Sequence, residues 1–311
     1  MQALWPLLRF LPGNRLLVLA FHRVAREFDP YDPETPDAAH FSRQLDALGG
    51  FDVVPLGAGL TALQEGRLRR TAVAITFDDG YRDQLAVAAP LLEARGYPST
   101  VFVSSAFVGG QNMWHDRLLW ALREGVVGSR LDGVGLAEAV PASLGARRQL
   151  AGRCIAAVKS LPLSAREQAV ALVEAACGAP PAPRLMLDAK ELRELAARPG
   201  VEIGAHTRRH PILAACTLEE ARAEVSGSRA DLEQLLGVSV GLFAYPNGHE
   251  GRDFSDRDVG LVREAGFSHA FSSDWGVVTP GSDALKLPRV SLYRRSVLGN
   301  AMLLARAALR A

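Results

Sequence analysis

Short apolar runs rich in β-branched and aromatic residues alternate along the chain with longer stretches of helical period. Seven such runs read as strands: Leu16 to Phe21 (LLVLAF), Ala72 to Phe77 (AVAITF), Ser99 to Ser104 (STVFVS), Val201 to Ala205 (VEIGA), Val240 to Ala244 (VGLFA), Ser268 to Ser272 (SHAFS) and Leu287 to Tyr293 (LPRVSLY). Between them the spacing predicts helices over Ala38 to Leu48, Asp83 to Arg95, Asp188 to Ala197, Thr217 to Leu236 and Ser255 to Ala265. Gly49, Gly96, Gly237 and Gly266 stand where helix stops are expected. Strands and helices that alternate in this way build β/α units around a parallel sheet.

The interval from Phe107 to Leu187 breaks the rhythm. It shows no strand pattern, is rich in Ala, Leu and Arg, and ends in the turn-forming segment GAPPAP at Gly178 to Pro183. It reads as a helical insertion, residues 107–187, between the third and fourth expected strands of one domain spanning residues 1–311. Loops that follow barrel strands build the site, so an insertion here is placed to shape access to it.

Composition narrows the function classes. With 311 residues, 48% of them apolar and 22% charged, the chain can bury a full core. Thirty-five Lys and Arg against thirty-four Asp and Glu leave a formal charge of +1, so there is no basic excess to release counterions from a phosphate backbone. Nucleic acid is therefore not an expected partner. The three cysteines, Cys154, Cys177 and Cys216, are odd in number and form no CxxC pair, which disfavours a disulfide framework and a thiolate zinc site. No apolar run reaches the roughly 18–20 residues of a membrane helix. No small-residue cleavage site follows an apolar segment, so a cytoplasmic location is expected. Trp5, Leu7, Leu8 and Phe10 with Arg9 and Arg15 suit either a helix under the barrel or peripheral contact with a membrane surface.

Three segments that directly follow expected strands carry the candidate chemistry. In Thr76-Phe77-Asp78-Asp79-Gly80-Tyr81, two adjacent carboxylates sit at the mouth of an apolar strand. Like charges so close resist joint ionisation unless a cation or a shared proton relieves them. An Asp-Asp-Gly turn that caps the next helix is the ordinary alternative. In His206-Thr207-Arg208-Arg209-His210, two imidazoles four residues apart can reach one side of a helical turn or tight loop. Two imidazoles and a carboxylate form a three-ligand set for a divalent ion, although HxxxH pairs also arise by chance. Phe243-Ala244-Tyr245-Pro246-Asn247-Gly248 is a turn whose free backbone N–H groups would face the same mouth.

TFDDGY, HTRRH and FAYPNG, in that order, resemble the polysaccharide deacetylase family, the NodB-homology carbohydrate esterases. LAFHRV at Leu19 to Val24 and LPRV at Leu287 to Val290 resemble the edges of the same domain. The resemblance implies a distorted (β/α)7 barrel, in accord with the seven strands counted from the pattern. It also implies roles: Asp78 as general base, and Asp79, His206 and His210 as ligands of one divalent metal ion, Zn2+ or, with the same ligand set, Co2+ or Ni2+. The backbone N–H of Asn247 would stabilise the oxyanion.

The chain departs from the commoner family pattern at two places. Phe243 stands where many members carry an Arg that orients the catalytic Asp, and Arg289 is the candidate replacement. Leu287-Pro288-Arg289 lacks the late His that protonates the leaving amine, so the general acid is unassigned. His22, Tyr245 and Trp275 are further candidates for substrate binding or support; His115, Asp116, His249 and Asp274 are weighed beside them, and His40 and His269 are read as structural. The expected activity is metal-dependent removal of an N-acetyl group from an amino sugar of a polysaccharide or glycolipid precursor. A non-catalytic glycan-binding barrel, or a metallohydrolase acting on N-formyl or O-acetyl sugars, are the rival readings.

Overall fold

The structure, a computed structural model, describes residues 13–131 and 138–292. The apolar segment around Trp5 to Phe10, and Tyr293 of the last expected strand, lie outside the described residues. The strands are β1 (Leu16–Phe21), β2 (Asp52–Val53), β3 (Ala72–Phe77), β4 (Ser99–Val103), β5 (Val201–Ala205), β6 (Leu242–Ala244), β7 (His269–Phe271) and β8 (Val290–Ser291). Every residue of β1, β3 and β4 is buried, as a continuous apolar run must be when both faces of a parallel sheet are covered.

The strands pair in parallel in the order β7-β6-β5-β4-β3-β1-β8, with β2 set off this path against β3. The path closes on itself. Leu287 bridges Phe271 at the end of β7, and three residues later Val290 pairs with Leu19 of β1. Residues 287–291 thus form a seventh stave between the first and last strands, giving a distorted (β/α)7 barrel. The distortion lies in that stave and in β6 and β7, which are shorter than the apolar runs suggested. Pro288 has no N–H to give a ladder, so only two residues of Leu287 to Leu292 pair as a strand.

Helices cover the barrel: α1 (Ala38–Ala47), α2 (Leu56–Gln64), α3 (Ala89–Glu93) running on from a π-turn at Gln84–Ala88, α4 (Trp114–Glu124), α5 (Leu144–Val158), α6 (Leu163–Cys177), α7 (Ala189–Ala196), α8 (Leu218–Leu236) and α9 (Asp256–Glu264). The bounds of α8 follow from its ends. Thr217 and Glu220 form a reciprocal capping box, and Gly237 closes the helix at φ +71.

Helices α4, α5 and α6 occupy the interval between β4 and β5 and pack on one another around Trp114, Leu118, Leu150, Val170 and Cys177. Tyr31 from the loop after β1 joins this second core. The insertion returns to the barrel along the segment that follows β3: Arg82 N–H donates to Leu185 at 2.7 Å, and Leu187 N–H to Gly80 at 3.0 Å. Cys154, Cys177 and Cys216 are buried and free. No helix among the described residues is long and apolar enough to cross a membrane.

Candidate metal and catalytic centre

Because the strands are parallel, their C-terminal ends open on one mouth, and the three sequence segments meet there. Asp79, His206 and His210 converge so that one ligand atom from each lies within 4.8 Å of the others. His206 Nε2 is 3.6 Å and His210 Nε2 3.5 Å from Asp79 Oδ1. Metal bonds of about 2.0–2.2 Å place tetrahedral donors roughly 3.4 Å apart, so these spacings suit one ion.

The backbone is bent to reach this arrangement. Five non-glycine residues among those described have left-handed φ, and four are here: Asp79 (+78), Thr207 (+60), His210 (+51) and Asn247 (+59). For a β-branched residue such as Thr207 that conformation is costly, and it concentrates at functional sites. The histidines are therefore presented by a tight loop, not by a helical turn. Gly80, at φ +90, takes a backbone conformation strained for any side chain, and a Cβ there would press on Val103 Cγ1 at 3.0 Å.

The protonation states also suit a cation. His206 Nδ1 lies 2.7 Å from the Ala244 carbonyl, which makes Nδ1 the protonated nitrogen and leaves the Nε2 lone pair facing Asp79. Burial pushes the His206 pKa down to about 4 and His210 well below the usual imidazole value. Both imidazoles are thus held neutral. Asp79 is driven the other way, its pKa raised well above the usual carboxylate value by burial and then by the charge of Asp78. Its Oδ1 is buried without a hydrogen-bond partner among the described residues, as is His210 Nδ1. An orphaned buried carboxylate oxygen beside two neutral imidazoles fits a bound dication, which would supply the missing counter-charge.

Asp78 is set apart from its neighbour by Arg289, which is buried at the start of the last stave. Arg289 Nη1 donates to Asp78 Oδ1 at 2.7 Å and Nη2 to Oδ2 at 2.8 Å, while Nε donates to the Ser272 carbonyl at 3.1 Å. Burial opposes ionisation of Asp78, but Arg289 and then His206 outweigh it and hold the carboxyl at about 2. Adjacent aspartates therefore have opposite electrostatic surroundings.

The other expected residues divide. His22, at the end of β1, places Nε2 3.9 Å from Asp78 Oδ2 with its side chain more than half exposed to the mouth. Asn247 is half-buried in its left-handed turn. Trp275 is half-buried on the loop after β7. Beside it, Asp274 accepts from His249, the two atoms 3.0 Å apart, and so ties that loop to the Tyr-Pro-Asn-Gly turn. Tyr245 does not face the mouth. It is fully buried, stacked on Phe254 with ring centroids 3.8 Å apart, and its hydroxyl donates to the Leu285 carbonyl. Its apolar ring fills the core beneath the turn, so of the two expected roles, substrate binding or support, the geometry favours support. His40 is buried within α1, and His269 pairs with Ser268, both away from the mouth.

The insertion also reaches the site. Tyr81 of the Asp-Asp segment donates to Asp116 at 3.0 Å and lies 2.8 Å from His115 Nε2, and the His115 ring is 6.3 Å from that of His210.

A family model described as polysaccharide deacetylase matches residues 65–269. That span holds the two Asp, both His and Asn247, but neither His22 nor Arg289. Solved structures similar to this chain include the Streptococcus pyogenes deacetylase PplD in complex with acetate, with TM-score 0.62 and 16% identity over 94% of this chain and 98% of that one. Others are IcaB from Ammonifex degensii (TM-score 0.59, 20% identity, 96% and 98%) and a de-N-acetylase from Aggregatibacter actinomycetemcomitans (0.57, 18%, 92% and 99%). At these identities the likeness is one of fold. No curated protein matches the chain in sequence.

Proposed function

Since the chain belongs to the polysaccharide deacetylase family, we propose that it is a metal-dependent hydrolase that removes an N-acetyl group from an amino sugar of a polysaccharide or glycolipid precursor. The observation that carries this reading is that Asp78, held by Arg289 through both oxygens, stands beside an Asp79-His206-His210 set whose ligand atoms lie within 4.8 Å of one another. The acetate held by the streptococcal neighbour supports acetyl as the acyl group.

Asp79, His206 and His210 would hold the ion. A divalent cation there supplies Lewis acidity, polarising an acyl carbonyl and acidifying water. Asp78 accepts the proton of the attacking water. Arg289 keeps it ionised, the form that takes up a proton. Arg289 fixes both carboxylate oxygens, so the acceptor needs no reorganisation when the proton arrives. The Asn247 N–H donates to the developing oxyanion. His22, on the open side of Asp78, is placed to hydrogen-bond a substrate, and burial lowers its pKa and favours the neutral imidazole; the group that protonates the leaving amine is unassigned. A cleft lined by the apolar Phe21, Pro36 and Leu292 together with Arg23 and Thr35 opens at His22.

Purified protein stripped with chelator and reloaded with zinc is tested on short N-acetylated, N-formylated and O-acetylated sugar oligomers side by side. The proposal expects new primary amine from the N-acetyl substrate with metal and none without. Ester cleavage alone, or activity indifferent to metal, would displace it.

A further inference from the structure

The loop at residues 206–210 presents two candidate ligands on a backbone that twice enters left-handed φ. Such a loop persists only if its surroundings over-determine it. Its main-chain groups are gripped by two side chains. Glu224, fully buried on α8, accepts the N–H groups of Arg208 at 3.0 Å and Arg209 at 2.7 Å. Two of the loop's carbonyl groups are held by Arg166, on α6 of the insertion and 1% exposed. Its Nη2 donates to the Arg209 carbonyl at 2.8 Å and its Nη1 to the His210 carbonyl at 3.1 Å.

Those two carbonyls flank the φ, ψ pair of His210. Fixing both therefore fixes the direction in which the His210 side chain leaves the backbone. Both terminal nitrogens of this buried guanidinium are used, while Nε has no hydrogen-bond partner among the described residues. Here its acceptors are main-chain oxygens of the ligand loop, and the cation also lies 5.0 Å over the Trp114 ring of α4.

We infer that Arg166 is a positioning residue: the helical insertion, through this one side chain, sets the backbone of His210 and with it the affinity of the metal site. The inference rests on the metal-site reading above. It makes the insertion part of the ion's support.

The molecule contains its own control. Arg147, on α5, is also buried, and its Nη1 donates to the carbonyls of Leu122, Arg123 and Gly125 at 3.1, 2.6 and 2.8 Å. It staples α4 within the insertion and touches no ligand segment. Zinc dissociation constants are measured on the full chain by competition with a chromogenic chelator, with Tm recorded for each metal-free variant. Arg166→Met is expected to weaken zinc binding by roughly 10–100-fold, the usual effect of losing a group that orients a ligand. Arg166→Lys, reaching one carbonyl, should fall between it and the parent. Arg147→Met should lower Tm while leaving zinc affinity within about twofold of the parent.

Parent-like affinity in folded Arg166→Met overturns the inference. So does equal weakening in Arg147→Met, which would mean general loosening of the insertion. If Arg166→Met does not fold, Arg166→Lys decides: weakened binding at parental Tm supports the inference, and unchanged binding overturns it. A parent that binds no zinc removes the metal reading and this inference together, an outcome distinct from parental binding that Arg166 does not influence.

Discussion

Arg289 grips both oxygens of Asp78, at 2.7 and 2.8 Å, across 211 residues of sequence. Phe243 is fully buried against Tyr245 and Phe267 and takes no part in this contact. The guanidinium enters the same barrel mouth from a different stave, over the Phe102 ring. A charge pair this buried is costly to break on one side, because the remaining charge has no partner.

Replacing Arg289 should therefore change the acidity of Asp78. Arg289→Met removes the main influence that lowers its pKa, leaving burial to raise it. The acid limb of the kcat/KM profile of metal-loaded protein should move up by roughly one to three pH units. The sign follows from linkage: with Arg289 present, the stability that ionised Asp78 contributes is intact above the usual carboxylate pKa and is lost only as pH falls toward 2. An acid limb that stays in place would show that Arg289 does not govern this carboxylate.

Asp79 should behave in the opposite way. Its raised folded pKa means that, without metal, ionised Asp79 is a burden whose cost appears as pH rises through that value. Metal-free Asp79→Asn should accordingly unfold at a higher Tm than the parent at pH 7. With zinc at about 100 times its Kd, only the parent should gain about 2.7 kcal/mol of stability. Thermal melts with and without zinc test both halves; an Asp79→Asn protein stabilised by zinc as strongly as the parent would exclude Asp79 as a ligand.

Together with His22, His115 and His269, whose pKa values burial also lowers, the two ligand histidines contribute to the acid side of metal-free stability. Both have folded pKa values below the usual imidazole value, His206 at about 4, so below about 6.5 the unfolded chain takes up protons first. Stability should fall as pH drops from about 6.5 toward 4. Urea unfolding of the metal-free protein at pH 7 and pH 5 measures the loss. His206→Asn should make the difference between the two pH values smaller, and an unchanged difference would contradict burial as the cause.

Local pattern made the barrel legible, and long-range contact made the rest obscure. β1, β3 and β4 are continuous apolar runs buried on both faces, so hydrophobicity alone marks them. β2 is two residues, one of them the exposed Asp52, and leaves no periodic trace. α2 carries Gly57 and Gly59, poor helix formers. It forms because a close approach is needed, since a Cβ on Gly59 would lie 2.9 Å from Val54 and 3.3 Å from Leu16. The ligand set could be read from Asp-Asp and HxxxH because each motif is contiguous. The Arg166 grip on His210 spans 44 residues and ends on carbonyl oxygens, which have no sequence signature.

The central claim is that Asp78 is the base of a metal-dependent deacetylation. Parent and Asp78→Asn, each loaded to one equivalent of zinc, are incubated with an N-acetylated amino-sugar oligomer, and acetate and new amine are quantified. The account predicts equimolar acetate and amine from the parent, and a rate lower by roughly 10²–10⁴-fold in a variant that keeps its zinc. Acetate release at the parental rate by zinc-loaded Asp78→Asn, or none from the folded and loaded parent, would contradict it.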